Sequence, residues 1–232
     1  MEVKRKNFIF CLAVFLLILL TTAMLYFYIT RRLRREQACA VPDPCRPAVA
    51  ITFDDGPDPE YTPRILDILY QHNAPATFFL VGENLSENEL LVKEIAAAGH
   101  EIGNHTYSHR DLSALDNRQV TQEISDMNRE LQKILPGYEI KYFRPPYGRY
   151  TAHTEKASGM EMALWTVDSG DWENPCADNI YRNTTTDTAN GDVIIFHDNN
   201  RQTVRALDDI LTGLEQKGFQ FVTLSQLREI KK

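Results

Sequence analysis

The pattern of apolar and polar positions changes character along the chain. From Phe8 to Ile29 no charged residue interrupts the sequence, and at about 1.5 Å per residue a helix of that length reaches about 33 Å, enough to cross a hydrocarbon core of about 30 Å. The segment is apolar all round rather than striped, which predicts one transmembrane helix within residues 1–36. Lys4, Arg5 and Lys6 precede it, Arg31, Arg32, Arg34 and Arg35 follow it, and Tyr26 and Tyr28 occupy interfacial positions. A cleaved signal peptide is the competing reading, although its apolar region is usually only about 7–15 residues and ends in a small-x-small site. The proline-rich residues 37–47 read as a linker.

From Ala48 the pattern becomes one of short apolar runs alternating with helical stripes, the mark of an α/β fold with parallel strands. Strands are predicted near Ala48–Phe53, Ala76–Val81, His100–Asn104, Lys141–Arg144, Met162–Val167, Val193–His197 and Phe219–Thr223. Between them, Thr62 and Pro63 open a helix striped by Ile65, Leu66, Ile68 and Leu69, ending near His72. Asn88–Ala98 stops at Gly99, Asn117–Leu135 stops at Pro136-Gly137, and Gln202–Lys217 stops at Gly218. Seven βα units fall short of the eight strands and roughly 250 residues of a closed barrel. The first expectation is therefore a distorted or incomplete (β/α) barrel of about seven parallel strands over residues 48–232; a doubly wound open sheet is the second.

Charge narrows the function classes. Residues 1–36 hold seven basic and two acidic side chains, leaving 18 basic against 30 acidic, a net of −12, in the remainder. Such a domain lacks the basic footprint of a nucleic-acid binder. Four cysteines, one of them (Cys11) inside the apolar span, make neither a disulfide scaffold nor a zinc ribbon. Cys39 and Cys45 could close a small loop in an oxidising compartment, or remain free thiols, and Cys176 has no evident partner.

The polar clusters fall at predicted strand ends: Asp54-Asp55, then His105 and His109, Arg144, Asp168 and Asp171, and His197. In either α/β architecture those ends share one rim, where active sites lie. Asp54-Asp55-Gly56-Pro57 taken alone reads as a turn. Adjacent carboxylates repel, however, and a cation relieves the repulsion best when one of the pair is its ligand. His105 and His109, four apart, can reach one metal, and with Asp55 they form a three-ligand set that leaves a coordination position open. Zn2+ is the first expectation, with Co2+, Mn2+ or Ni2+ also suited. Asp54 is then free to act as general base and His197, at another strand end, as general acid. His72 and His153 are expected at the surface.

These residues resemble the polysaccharide deacetylases, also called carbohydrate esterase family 4 or the NodB-homology domain, over roughly Ala48 to Leu224. Thr52–Gly56 matches TFDDG, His105–His109 matches H-T-x-x-H, Arg144–Gly148 matches R-P-P-Y-G, Asp168–Trp172 matches D-x-x-D-W, and Val193–Asp198 is an apolar strand ending in His-Asp. The resemblance implies Asp54 as base, Asp55, His105 and His109 as metal ligands and His197 as acid. It further implies Arg144 orienting Asp54, Asp171 pairing with His197, the Tyr147 N–H at the oxyanion, and Trp172 and Ile195 around the acetyl methyl. Ile195 stands where the family more often has leucine, a volume-conserving change.

The expected activity is metal-dependent deacetylation of N-acetylated sugars, in peptidoglycan or a chitin-like oligosaccharide, by a monomer. An O-acetyl or small amide or imide hydrolase, and a non-catalytic glycan-binding module, are the alternatives. The expected location is the cell membrane, single-pass, with the catalytic domain outside facing the wall, although the basic flanks on both sides do not decide orientation.

Overall fold

The computed structural model describes residues 14–26, 41–173 and 176–230. Residues 14–26 form a helix, α1, exposed along its whole length. No helix among the described residues is long and apolar enough to cross a membrane. The expected span from Phe8 to Ile29 lies partly outside the described residues, as do Cys11 and Cys39. Cys45 and Cys176 are exposed free thiols.

The sheet is built of β1 (Ala48–Asp54), β2 (Thr77–Leu80), β3 (Glu101–Asn104), β4 (Tyr142–Phe143), β5 (Glu161–Met162), β6 (Val167–Asp168), β7 (Val193–His197) and β8 (Gln220–Val222). All pairings are parallel, and the order is β5-β4-β3-β2-β1-β7-β6, with β8 paired to the first residues of β1. Every residue of β1 is buried, as expected of a central strand covered on both faces. Its odd-numbered side chains, Val49, Ile51 and Phe53, join the largest apolar cluster together with Phe78, Phe196 and the helix stripes.

One expected strand is two. Met162–Val167 divides into β5, on β4 at one edge, and β6, on β7 at the other. The five steps from residue 162 to 167 span at most about 18 Å. Six strand spacings in a flat sheet would separate those edges by about 29 Å, so the sheet must curl, and the result is a curled, incompletely closed barrel. The ladder breaks between β5 and β6 because the carbonyls there serve another partner: Arg144 donates from Nε to the Ala163 oxygen at 2.7 Å and from a terminal nitrogen to the Leu164 oxygen at 3.4 Å.

The helices α2 (Thr62–Gln71), α3 (Glu89–Ala97), α4 (Asn117–Ile134), α5 (Ala152–Ser158), α6 (Ala177–Thr185), α7 (Arg201–Gln216) and α8 (Leu224–Ile230) surround the sheet. α4 opens with a reciprocal capping box between Asp116 and Gln119 and buries Val120, Ile124, Met127, Leu131 and Ile134. The helices α5, α6 and α8, of seven, nine and seven residues, are not read from an apolar stripe. Thr62 lies inside α2 rather than capping it: Tyr61 is the N-cap, and the Thr62 hydroxyl instead donates to Asp198 at 2.6 Å.

Candidate active site

The carboxyl ends of β1, β3, β6 and β7 open onto one cavity of about 610 Å³ lined by Asp54, Asp55, His105, His109, Tyr147, Asp168, Trp172, Ile195 and His197. The remaining two expected site residues, Arg144 and Asp171, are fully buried behind that wall. All ten site residues anticipated from the sequence are therefore brought together.

The His105–His109 loop is held from beneath. Glu123, on the buried face of α4, accepts from the Tyr107 N–H at 3.1 Å, the Ser108 N–H at 2.8 Å and the Ser108 hydroxyl at 2.6 Å. Asn104 accepts from the Thr106 N–H at 2.8 Å while donating to the Ile124 carbonyl and to Asn128. These bonds hold the loop with Thr106 at φ 68° and His109 at φ 53°. A positive φ in a β-branched residue is strained, and such strain concentrates where a loop must aim side chains. Asp55 (φ 77°) and Tyr147 (φ 59°), on the other sides of the cavity, share it.

Asp55, His105 and His109 each direct one ligand atom into a common space, with those atoms within 4.8 Å of one another. The protonation pattern can be read from the partners. His105 places Nδ1 2.7 Å from the Arg144 carbonyl, which can only accept, so Nδ1 carries the proton and the Nε2 lone pair points into the cavity. Asp55 Oδ1 lies 3.1 Å from His109 Nε2 and 3.5 Å from His105 Nε2, yet it is buried without a hydrogen bond. Its Oδ2 accepts from Asn199 at 3.3 Å, and its main-chain oxygen from Asn84 at 2.9 Å. Burial alone would raise the Asp55 pKa, but the two imidazoles outweigh it and hold the carboxyl well below the usual carboxylate range. An orphaned buried carboxylate oxygen facing two imidazoles, one with its lone pair aimed inward, is a donor set that could hold a metal ion.

Two ion pairs flank this set. Arg144 donates to Asp54 at 2.6 Å and to Thr52 at 2.9 Å, with its guanidinium 4.1 Å from the Phe79 ring centre and 5.7 Å from that of Trp165. The other Asp54 oxygen faces the metal set, 3.6 Å from His105 Nε2. Across the cavity, His197 Nδ1 lies 2.7 Å from Asp171, whose second oxygen accepts from the His197 N–H at 2.8 Å and from the Thr203 hydroxyl. Burial pulls the His197 imidazole down, but Asp171, aided by Asp54 and Asp55, pushes it up to about 9. Tyr147 packs edge-on against His109 and is 60% exposed, Trp172 is 61% exposed, and Ile195 is buried at the floor.

Several contributors were not anticipated from the sequence. Asn199 and Thr203 follow His197 closely enough to be suspected from position, whereas Glu123, Asn104 and Trp165 give no local signal. Asp198 is buried with Oδ1 unpartnered, and burial pushes its pKa up to about 7. Gly56, expected as a turn former, has a steric purpose as well: a Cβ there would lie 2.1 Å from the Asp198 carboxylate. His72, expected at the surface, is only 11% exposed and bridges Asp208 at 3.0 Å and Glu215 at 3.2 Å, tying α2 to α7. His153 contacts the Asn117 carbonyl, remote from the cavity lining.

The sequence pattern of the family described as Polysaccharide deacetylase matches residues 42–164. A peptidoglycan-N-acetylglucosamine deacetylase of Bacillus cereus is 41% identical over 191 residues, covering 79% of this chain and 89% of that protein. A chitooligosaccharide deacetylase of Sinorhizobium fredii is 34% identical over 196 residues, covering 78% and 91%. The solved structure of the peptidoglycan deacetylase PdaC from Bacillus subtilis superposes with a TM-score of 0.79 at 35% identity, covering 82% of this chain and 94% of that one. With the site, the fold and the sequence in agreement, the chain belongs to the polysaccharide deacetylase family of hydrolases.

Proposed function

We propose that this chain removes acetyl groups from N-acetylhexosamine units of a cell-wall glycan, using one divalent ion, with Zn2+ the first candidate, held by Asp55, His105 and His109. The observation that carries the reading is the pair of couples, Asp54–Arg144 and His197–Asp171, facing each other across that ligand set in one cavity. A bound divalent ion supplies Lewis acidity, polarising a carbonyl and lowering the pKa of water. Asp54, aimed by Arg144, takes a proton from water as it adds to the acetamide carbon. His197, kept protonated by Asp171, gives its proton to the nitrogen as the C–N bond breaks, so acetate and a free amine leave.

The main-chain N–H of Tyr147 is assigned to the oxyanion, a role its position on the cavity wall supports. Ile195 and Trp172 are assigned to the acetyl methyl, and Trp172 and Tyr147 offer exposed aromatic faces to sugar rings.

We further propose that residues 1–36 anchor the chain as a single membrane span with the domain outside. Residues 43–47 are clasped at the amino end of β1, where the Asp43 N–H donates to Gln220 at 2.9 Å and Gln220 donates to the Arg46 carbonyl at 3.1 Å. The site lies at the other end of that strand, about 20 Å away at about 3.3 Å per residue. A chain tethered in this way would present its rim away from the membrane, toward the wall, as a monomer.

The test is acetate release by the full chain in detergent from peptidoglycan, chitooligosaccharides, O-acetyl sugars and imides, repeated after chelation and metal add-back. Release from N-acetylated glycans that stops on chelation and returns with metal supports the reading. A folded, metal-loaded protein active only on O-acetyl or imide compounds would refute it.

A further inference from the structure

The domain is strongly acidic, yet a guanidinium stands at the mouth of its active site. Arg149 lines the cavity next to Asp55, His109 and Tyr147, with 66% of its side chain exposed. Its one contact is a 2.8 Å bond to Asp111, and its remaining N–H donors bond no group among the described residues. Arg110, which directly follows the metal-ligand candidate His109, is exposed, with no hydrogen bond or ion pair among the described residues. Asp168 is also exposed on the cavity wall, and an adjoining cleft of about 450 Å³ that shares Asp55 carries Asp58 and Glu87. Among the described residues that line the cavity, Arg149 is the one arginine or lysine.

An exposed Arg–Asp pair contributes little to stability, so holding Asp111 is a poor account of why a cation stands here. A guanidinium with free donors beside a sugar-binding cavity is built to take a carboxylate through its planar fork.

We propose that Arg149 binds a carboxylate carried by the glycan and makes this enzyme select acidic wall glycan over a neutral N-acetylglucosamine polymer. The inference rests on the deacetylase reading above. In such a glycan the carboxylate has two sources: the lactyl ether, free once its peptide is removed, or the peptide itself.

The test compares acetate-release kinetics of the full metal-loaded chain on neutral chitooligosaccharides, on peptide-free wall glycan and on peptide-bearing wall glycan. Arg149→Glu is expected to raise KM on the acidic glycan about 10-fold and flatten its salt dependence, with kcat unchanged and the neutral substrate within about 2-fold. Loss on the peptide-free chain assigns the contact to the lactyl group, and loss confined to the peptide-bearing chain assigns it to the peptide; both support the proposal. Arg149→Lys should recover part of the affinity, and Asp111→Ala, which removes the competing carboxylate, should lower KM on the acidic glycan. Equal losses on neutral and acidic substrates, or an Asp111→Ala variant that behaves like Arg149→Glu, would show that Arg149 only holds its loop and would overturn the proposal. A wild type inert on all three glycans would sink the deacetylase reading itself, and the proposal with it.

Discussion

Replacing Asp171 with Asn tests the assignment of His197 as the acid. In the folded protein Asp171 accepts from the His197 ring and main chain, and the imidazole titrates at about 9 despite burial that pulls the other way. Against an ordinary value of about 6.5, a rise of about 2.5 units corresponds to about 3 kcal/mol favouring the protonated form. Without the carboxylate, burial loses its main opponent, and the midpoint should fall to about 6.5 or lower. At pH 8 the protonated fraction then drops from about 0.9 to about 0.03, a loss of about 30-fold in competent acid. The assay is an NMR titration of the His197 ring in metal-free protein, paired with kcat/KM from pH 5 to 10. A bound dication repels the imidazolium and lowers the midpoint in both proteins, so the difference between variant and wild type is the readout. The variant should approach wild-type activity near pH 5.5 and lose ground steadily as pH rises. A pH-independent loss, or an unmoved imidazole midpoint, would refute the acid assignment. The same linkage has a stability sign: because the folded value is raised, the contribution is fully present below about 6.5 and is lost as pH rises through about 9.

Three further outcomes follow from the same geometry. Asp54→Asn should retain metal binding by calorimetry while losing about 100-fold or more of turnover, as expected for removal of a general base, whereas Asp55→Ala should lose the metal; the reverse result would exchange the two roles. Arg144→Ala leaves Asp54 buried and uncompensated, and should cost about 3–5 kcal/mol of stability in denaturant unfolding, far more than Arg149→Ala at the exposed mouth. Asp198→Asn should raise the melting temperature at pH 8 and barely change it at pH 4. A carboxyl whose folded value is raised from 3.8 to about 7 penalises the fold increasingly between those values and uniformly above them; a stabilisation independent of pH would contradict this.

The first-rank features of this protein are local and were therefore legible in its sequence. Buried parallel strands read as apolar runs, helices of three or more turns read as stripes, and the ends of both carry turn and capping residues. Once the strands are located, the strand-end rule gathers Asp54, Asp55, His105, His109 and His197 without further information. These five residues, spread over more than 140 positions, converge for that reason.

Tertiary structure decided what depends on partners distant in sequence. Met162–Val167 has the composition of a single strand, and nothing within it shows that Arg144 claims the carbonyls of Ala163 and Leu164 and so divides it between two sheet edges. Glu123 gives no local signal, yet the packing of α4 turns it under the histidine loop. Gly56 reads as a turn residue, and only the arrival of Asp198 from β7 shows what its missing side chain makes room for. The sequence by itself determined which elements form and which chemistry stands at their ends, because burial periodicity and residue type are written residue by residue. Which carboxylate is aimed by which cation, and which oxygen is left without a partner, was settled by long-range hydrogen bonds that exist only after the sheet has curled.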